Sequence, residues 1–354
     1  IARGFRSDDG GDIRDRLVTV HPLQAFSRRY FEADSRLFSH SSALCRAASI
    51  AGKGARAPQP FITEDLPEPE AESRTVDLES LIRFFCHPTR YLFQTRLNIR
   101  LETAEEEIES REPFAPDGLG VFKLKERLLD LALREQPHDG LALARAGGVL
   151  PHGAMGTVLY ENQTEFIDRF AEKLKPMLPR ERLDPVAFEL RSDHVTLTGT
   201  LTGLSRAGLL DYRVANANAR ARVQAWIRHL AMNAFAPRGV ERTSRCVAQD
   251  CMLTFAPVDN ARALLTELLE LYWKGLHRPL HFFLRTACAY AENGDINYKV
   301  RNVWLGGRDV RGECEDPYYN LAFRGTDPLD DEFRIAAHTV FVQMNAVLKE
   351  AAFA

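Results

Sequence analysis

The sequence predicts a mixed α/β (α+β) domain in which a small mixed sheet is flanked by helices. Three observations carry this. Apolar residues recur at helical spacing from Asp77 to Arg96, from Asp117 to Glu135 and again from Gln163 to Leu178. The period then changes to two, with Val195, Leu197, Gly199 and Leu201 alternating with Thr196, Thr198, Thr200 and Thr202. Helical spacing returns at Asn218–Phe235, Asp259–Trp273, Leu280–Glu292 and Asp331–Ala351.

Each element has a local reason. Asp77 is a helix N-cap before the stripe Leu78, Leu81, Ile82 and Phe85. His87-Pro88 ends that helix and starts the next, because proline suits the first helical turn. Leu119, Phe122, Leu124, Leu128, Leu129 and Leu133 make 117–135 amphipathic, and 147–156 is a glycine-rich connector. Val186–Leu190 reads as a short strand. Val195–Thr202 and Leu209–Val214, joined by a turn over Gly203–Gly208, read as a hairpin. Arg242–Phe255 is expected as a further strand.

Residues 1–74 lack this periodicity. Pro58, Pro60, Pro67 and Pro69 punctuate them, and Phe26, Tyr30 and Phe31 form one aromatic-rich piece. The expectation is a linker and docking segment over 1–74 and one domain over 75–354. With Ile1 in place of an initiator Met, the chain is expected to be a piece of something longer.

With 354 residues, 45% hydrophobic and 27% charged, the chain has the composition of a globular protein. No apolar run is long enough for a membrane span, and Ile1–Gly10 has no apolar signal region. The six cysteines, at 45, 86, 246, 251, 288 and 314, form no CxxC pair, which points to reduced thiols in a cytoplasmic protein and to neither a disulfide framework nor an iron–sulfur cluster. A net charge of −3 excludes a uniformly basic nucleic-acid binder. Yet Ser205–Arg245 holds eight arginines against Asp211 and Glu241, balanced by acidic stretches at Glu64–Glu72 and Glu102–Glu112. A basic face on a mildly acidic chain suits phosphates or an acidic partner subunit; a solvated helix face fits as well.

The hairpin carries the most chemistry. Asp211 and Arg213 are two apart on a strand and share one face. A metal nuclease of the PD-(D/E)XK type needs an acidic residue and a lysine at that spacing, with another aspartate ending the preceding strand; the carboxylates hold a cation that polarises phosphate and activates water. Here Thr202 stands at the second acidic position and Arg213 at the lysine. Threonine brings no negative charge for a hard cation, and arginine does not give up a proton. The outline is that of a nuclease, catalytically degenerate, with no metal or other cofactor expected. The competing reading is an exposed Asp and Arg on an edge hairpin. Asp193-His194 reads as a turn, and His277 and His281 are separated by Pro279, so neither pair is expected to bind metal. Gly52-Lys53-Gly54 is not a phosphate loop, and no GxSxG or HExxH occurs.

Several segments carry a resemblance. The run from His21-Pro22-Leu23-Gln24-Ala25-Phe26 through Ser27-Arg28-Arg29-Tyr30-Phe31 is similar to an HPLQ-x-F-S-x-R-Y-F segment of the RecC family, the gamma chains of bacterial exodeoxyribonuclease V. Asp77–Pro88 followed by Arg90-Tyr91 resembles the start of that family's C-terminal domain. Glu112-Pro113-Phe114 through Leu119, Leu150-Pro151-His152-Gly153, Asp316-Pro317-Tyr318-Tyr319 and Leu321–Gly325 match its pattern in order. The resemblance implies a non-catalytic, nuclease-like domain at the end of a helicase-like chain. It implies RecB and RecD as partner chains, and a role in splitting and guiding DNA at double-strand breaks. In such a fold the helix after the hairpin passes near the substrate path, so Arg213, Arg220, Arg222 and Arg228 are the expected DNA contacts, while Trp226 is expected in the core. Two alternatives stand beside this: an active metal nuclease using Asp193, Asp211 and a distant Glu, and a protein-docking module without DNA contact.

Overall fold

The computed structural model describes residues 8, 13–33, 36–51, 58–101, 118–136, 140–151, 153–308 and 310–353. Gly52-Lys53-Gly54, the acidic run Glu102–Glu112, the Glu112-Pro113-Phe114 motif and His152 lie outside them. The chain divides into two units, Ile1–Pro58 and Gln59–Ala354.

The first unit contains α1 (Arg14–Leu17), a 3-10 turn at Arg28–Tyr30 and α2 (Ser42–Ala51). The Arg28 Nε donates to the Ala48 carbonyl at 3.3 Å, and His21 Nδ1 lies 3.0 Å from the Tyr30 hydroxyl. These bonds hold the turn to α2 and to the preceding segment. Phe26 is 37% exposed, and Tyr30 and Phe31 are half-buried.

The second unit opens with β1 (Thr75–Asp77), α3 (Leu78–Cys86) and α4 (Pro88–Thr95). Asp77 caps α3 as its sequence position predicts, accepting from the Ser80 backbone N–H at 2.9 Å. His87 caps α4 through Nδ1, which accepts from the Arg90 N–H at 3.1 Å, with Pro88 at the first helical position. Next come α5 (Gly118–Leu133), α6 (Leu141–Ala146) and α7 (Ala154–Leu174). The helix expected from Gln163 starts at Ala154. Gly156, assigned to the connector by its type, sits in the first turn, where a side chain would strike the Pro151 carbonyl.

Then follow β2 (Val186–Arg191), β3 (Thr196–Leu201), β4 (Leu204–Ser205), β5 (Gly208–Tyr212) and α8 (Ala219–Phe235). The expected pairing of 195–202 with 209–214 is corrected. β3 pairs antiparallel with β2 and parallel with β1, whereas β5 pairs with the two-residue β4 inside the supposed turn. Gly203, at φ +74°, turns the chain out of the first sheet, and the Leu183 N–H then takes the Leu204 carbonyl at 2.8 Å. The single strand expected over 242–255 is two, β6 (Ser244–Val247) and β7 (Cys251–Phe255), closed by the Ala248 N–H on the Cys251 carbonyl at 2.8 Å.

The rest is α9 (Ala261–His277), α10 (Leu284–Asn293), α11 (Tyr298–Leu305), α12 (Pro317–Phe323), α13 (Asp331–Ala337), a π turn, α14 (Gln343–Val347) and β8 (Leu348–Ala352). The last helix was expected to reach Ala351. Instead Leu348–Ala352 becomes a strand that covers the open edge of β7, where ladder bonds override the local preference of Leu-Lys-Glu-Ala-Ala for helix.

In place of one small mixed sheet the described residues form two: a three-stranded sheet ordered β1-β3-β2 and a five-stranded sheet ordered β4-β5-β6-β7-β8. The five-stranded sheet is buried on both faces by strand alternation. Cys246, Leu253 and Phe255 join Trp226, Ile227 and Leu230 of α8 in the main core. Val247, Leu210 and Met252 face the other way, against Leu128, Ile167 and Phe170 of α5 and α7.

Asp316 ties distant parts together. It caps α12 by accepting from the Tyr318 N–H at 2.9 Å, takes Arg90 Nη2 at 2.9 Å, and lies 3.1 Å from His87 Nε2. Burial opposes the charged form, but His87 and Arg90 outweigh it and hold the carboxyl at about 2. A lowered acid stabilises the fold fully above its unfolded value of 3.8 and loses that contribution as pH falls toward 2. Asp316→Asn should therefore cost about 2 kcal/mol at neutral pH, with the deficit vanishing in strong acid, measured by urea unfolding.

Candidate functional site

The sheet register decides where Asp211 points. Asp211 pairs with Cys246, whose side chain faces α8, so Asp211 also faces α8. There it meets Arg228, one of the helix's arginines. Arg228 Nη1 donates to Asp211 Oδ2 at 2.9 Å, and Nη2 donates to Glu79 Oε1 and Oε2 at 3.0 and 3.2 Å. Glu79 stands in the first turn of α3. The other Asp211 oxygen accepts from the Tyr212 N–H at 2.9 Å. These groups, with Thr202 and Gly203 at the changeover from β3 to β4, line a cavity of about 210 Å³.

One guanidinium thus bridges two carboxylates. Arg228 is partly buried; burial opposes its charge, but Glu79 and Asp211 together raise its pKa. The bifurcated geometry matches the planar fork of arginine, which stays charged at any accessible pH. Glu79 was not singled out from sequence. Its only signal was its place one residue after the first position of α3, which by itself reads as a favourable charge at a helix N-terminus.

The other expected site residues are not gathered here. Arg213, just beyond the end of β5, lines a separate cavity of about 140 Å³ with Glu126 and Asp130 of α5. Its Nε is buried without a hydrogen-bond partner among the described residues. Arg222 Nη2 donates to Glu350 of β8 at 2.7 Å, and its Nε donates to the Ala217 carbonyl at 3.1 Å. Arg220 is exposed and lines a large cleft elsewhere on the domain. Trp226 is 1% exposed and packs in the core. Burial, and then Asp211, push the Cys246 thiol up to about 12 against the opposing pull of Arg213 and Arg228, so it stays protonated beneath the site.

Asp193 and Asp211 do not meet. Asp193 lies in the turn between β2 and β3, at the opposite end of the six-residue β3 from Thr202, about 20 Å along the strand. His194 stacks on Trp273 with centroids 5.1 Å apart. His277 and His281 have different partners, the Trp273 carbonyl and Asp330, each at 2.9 Å. Among the described residues no group of three or more His, Cys, Asp or Glu is placed to hold a metal ion, and no helix is long and apolar enough to cross a membrane.

Comparison with known proteins bears on the same region. A family model described as the RecC C-terminal domain matches residues 73–295, which include Glu79, Thr202, Asp211 and Arg228. The RecBCD enzyme subunit RecC of Escherichia coli (strain K12) is 28% identical over 336 residues, covering 89% of this chain and 29% of that protein. The subunit of the same name from Mycobacterium tuberculosis (strain ATCC 25618 / H37Rv) is 27% identical over 334 residues, covering 90% of this chain and 30% of the relative. That of Buchnera aphidicola subsp. Schizaphis graminum (strain Sg) is 25% identical over 268 residues, covering 70% and 24%. The chain spans less than a third of the length of these relatives. The family match covers well over half of the chain, from the turn before β1 into the loop after α10, and the chain belongs to the RecC C-terminal domain family.

Proposed function

We propose that this chain is the non-catalytic C-terminal part of a RecC subunit. It works within a cytoplasmic RecBCD-type helicase–nuclease (exodeoxyribonuclease V) beside RecB and RecD partner chains. Its role is to help separate and guide DNA strands and to hold the assembly together in double-strand break repair and recombination. Residues 75–354 are a catalytically degenerate domain of the PD-(D/E)XK type, and residues 1–74 lead into it as a linker and docking segment.

The observation that carries the reading is the Arg228 bridge. A nuclease of this type uses converging carboxylates to hold a divalent cation against phosphate. Here Asp211 and Glu79 converge, but a guanidinium already neutralises both, and Thr202 offers a neutral oxygen where a third charge would be needed. A hard cation would have to displace an arginine from two charge-assisted bonds in order to bind two carboxylates. The element order supports the same assignment: a helix bearing Glu79, strands leading to Thr202 and Asp211, then a helix bearing Arg228 packed on the sheet.

Calorimetry with magnesium or manganese should show no tight binding to the chain, and single-stranded DNA incubated with it should remain intact. Micromolar affinity for either ion that Asp211→Asn abolishes would overturn the degenerate-site reading. Of the four expected DNA contacts, Arg220 is the one whose guanidinium is both exposed and unclaimed by a carboxylate among the described residues.

A further inference from the structure

A large cleft of the second unit, about 580 Å³, lies where α3, α4, α8, α10 and α12 meet. Two segments that carry the family resemblance, Asp77–Tyr91 and Asp316–Gly325, both reach it, yet the degenerate nuclease site uses neither at this place. Arg83, Arg90, Arg220, Arg285 and Arg311 line it. The carboxylates among its lining are Glu313 and Asp316. Asp316 is already taken by Arg90 and His87. Glu313 is buried and spent on the start of α10, accepting from the Arg285 N–H at 3.0 Å and from the Thr286 N–H and hydroxyl at 2.8 Å each.

Of the five arginines, Arg90 pairs with Asp316 and Arg311 with Glu315 at 3.4 Å, while the other three are less committed. Arg83 and Arg220 form no ion pair among the described residues, and Arg220 lies near the Cys86 thiol, whose charged form it favours. Arg285 makes a single long side-chain bond, Nη1 to the Arg311 carbonyl at 3.4 Å. At the cleft the Tyr319 hydroxyl and Arg90 Nε are buried and lack an acceptor among the described residues. Tyr319 is fully buried, and burial raises its pKa well above the ordinary tyrosine value, so it remains a donor. A buried donor without an acceptor is costly, and an anionic ligand relieves that cost.

We propose that this cleft binds the backbone phosphates of a single nucleic-acid strand, with Arg83, Arg220 and Arg285 as the phosphate-binding residues. The inference rests on the DNA-guiding role and gives it a location away from the Asp211 cavity. Donors here come from separate helices: Arg83 from α3, Arg220 from α8, Arg285 from α10 and Tyr319 from α12. Convergence from several sides suits the tetrahedral oxygens of a phosphodiester better than a planar carboxylate, which one guanidinium fork satisfies in its own plane. At about 580 Å³ the cleft has room for more than one phosphate group, and its five arginines against two carboxylates suit a polyanionic strand.

The test is fluorescence anisotropy of the whole 354-residue chain with a labelled oligothymidylate over a salt series. Arg83→Gln/Arg220→Gln should lower the slope of log affinity against log salt by about 1.4, at ~0.7 for each phosphate that is no longer neutralised on a single strand. Arg169→Gln, on the exposed side of α7 where it pairs with Glu165, should leave the slope unchanged. Arg83 and Arg220 are exposed, so the variant should keep the wild-type thermal unfolding curve, and Arg285→Gln alone should lower the slope by about half as much. An unchanged slope in both cleft variants while the wild type binds would overturn the cleft assignment and leave the degenerate-site reading standing, since metal titration tests that separately. Competition by polyglutamate as strong as by unlabelled oligothymidylate, abolished in the same variants, would also overturn it, in favour of an acidic peptide. No binding of the oligonucleotide by the wild type would overturn both the cleft assignment and DNA guidance by this chain.

Discussion

One histidine, His229, should remove about 3 kcal/mol of its own contribution to the stability of the folded chain as pH drops from 6.5 to 4. His229 lies on α8 and is 0% exposed. Its Nε2–H donates to the Ala256 carbonyl at 3.0 Å, which leaves Nδ1 to accept from the Ser244 hydroxyl at 2.7 Å. Asn233, one turn on, anchors the same corner by donating to the His229 carbonyl at 2.9 Å and accepting from the Val258 N–H at 2.9 Å. The ring is therefore neutral and satisfied, stacked on Phe255 with centroids 5.2 Å apart. Burial lowers its pKa from 6.5 to about 4, against a smaller opposing pull from the Ala256 carbonyl. The folded state binds fewer protons than the unfolded state between those values, so stability is fully present above 6.5 and is lost as pH falls through 4. Glu313, raised by burial, works in the opposite direction, and Asp316 acts only in stronger acid. The informative quantity is thus the difference between the wild type and His229→Gln in denaturant unfolding at each pH. That difference should shrink by about 3 kcal/mol across the window; a constant difference would show that His229 does not titrate on unfolding.

The helices of the main core were legible because each has a cap or a stripe that acts locally. Asp77 with Ser80, and His87 with Pro88, need nothing from the rest of the chain to start a helix. The strands were legible as strands, but their partners were not. Alternation at 195–202 states which side chains face inward and is silent on whether β2 or β5 lies alongside. Gly203 and Gly208 looked like the ends of one turn; in the structure Gly203 closes one sheet's contribution and Gly208 begins β5. β8 was hidden for a different reason, since its residues favour helix and only the open edge of β7 makes them a strand. The candidate site was half legible. Thr202 and Asp211 were singled out by spacing and do line one cavity, whereas Glu79 reaches it from far away in sequence, and nothing in the α8 pattern marks Arg228 as bound and Arg220 as free of carboxylates. The basic segment was read as one face. Ion pairs to Glu79, Asp211 and Glu350 divide it, and those partners are known only once the sheets are assembled.

Gly208→Ala should destabilise the chain by about 3 kcal/mol or more, while Gly239→Ala should cost about 1 kcal/mol, although both glycines have nearly the same φ. Gly208 has φ +96° and Gly239 has φ +88°, a region L-residues enter at a cost of about 1–2 kcal/mol. The difference lies in what surrounds them. A Cβ on Gly239 meets nothing within 4 Å. A Cβ on Gly208 would collide with the carbonyl oxygen of Thr243 and sit 2.9 Å from that of Glu241. Both obstacles are backbone, so no side-chain rotation relieves them. The Thr243 carbonyl accepts from the Leu209 N–H at 3.2 Å, and the Glu241 N–H donates to the Arg206 carbonyl at 2.9 Å, so moving that loop loosens the start of the β5–β6 ladder. Asp211 stands three residues further along β5, in register with Cys246, and its approach to Arg228 depends on that ladder. Gly208→Ala should therefore also weaken the Asp211–Arg228 pair, seen as a smaller penalty for Arg228→Gln in the Gly208→Ala background than in the wild type. Equal losses for the two glycine variants would mean that backbone conformation alone sets the cost and that the close approach of Thr243 does not constrain β5.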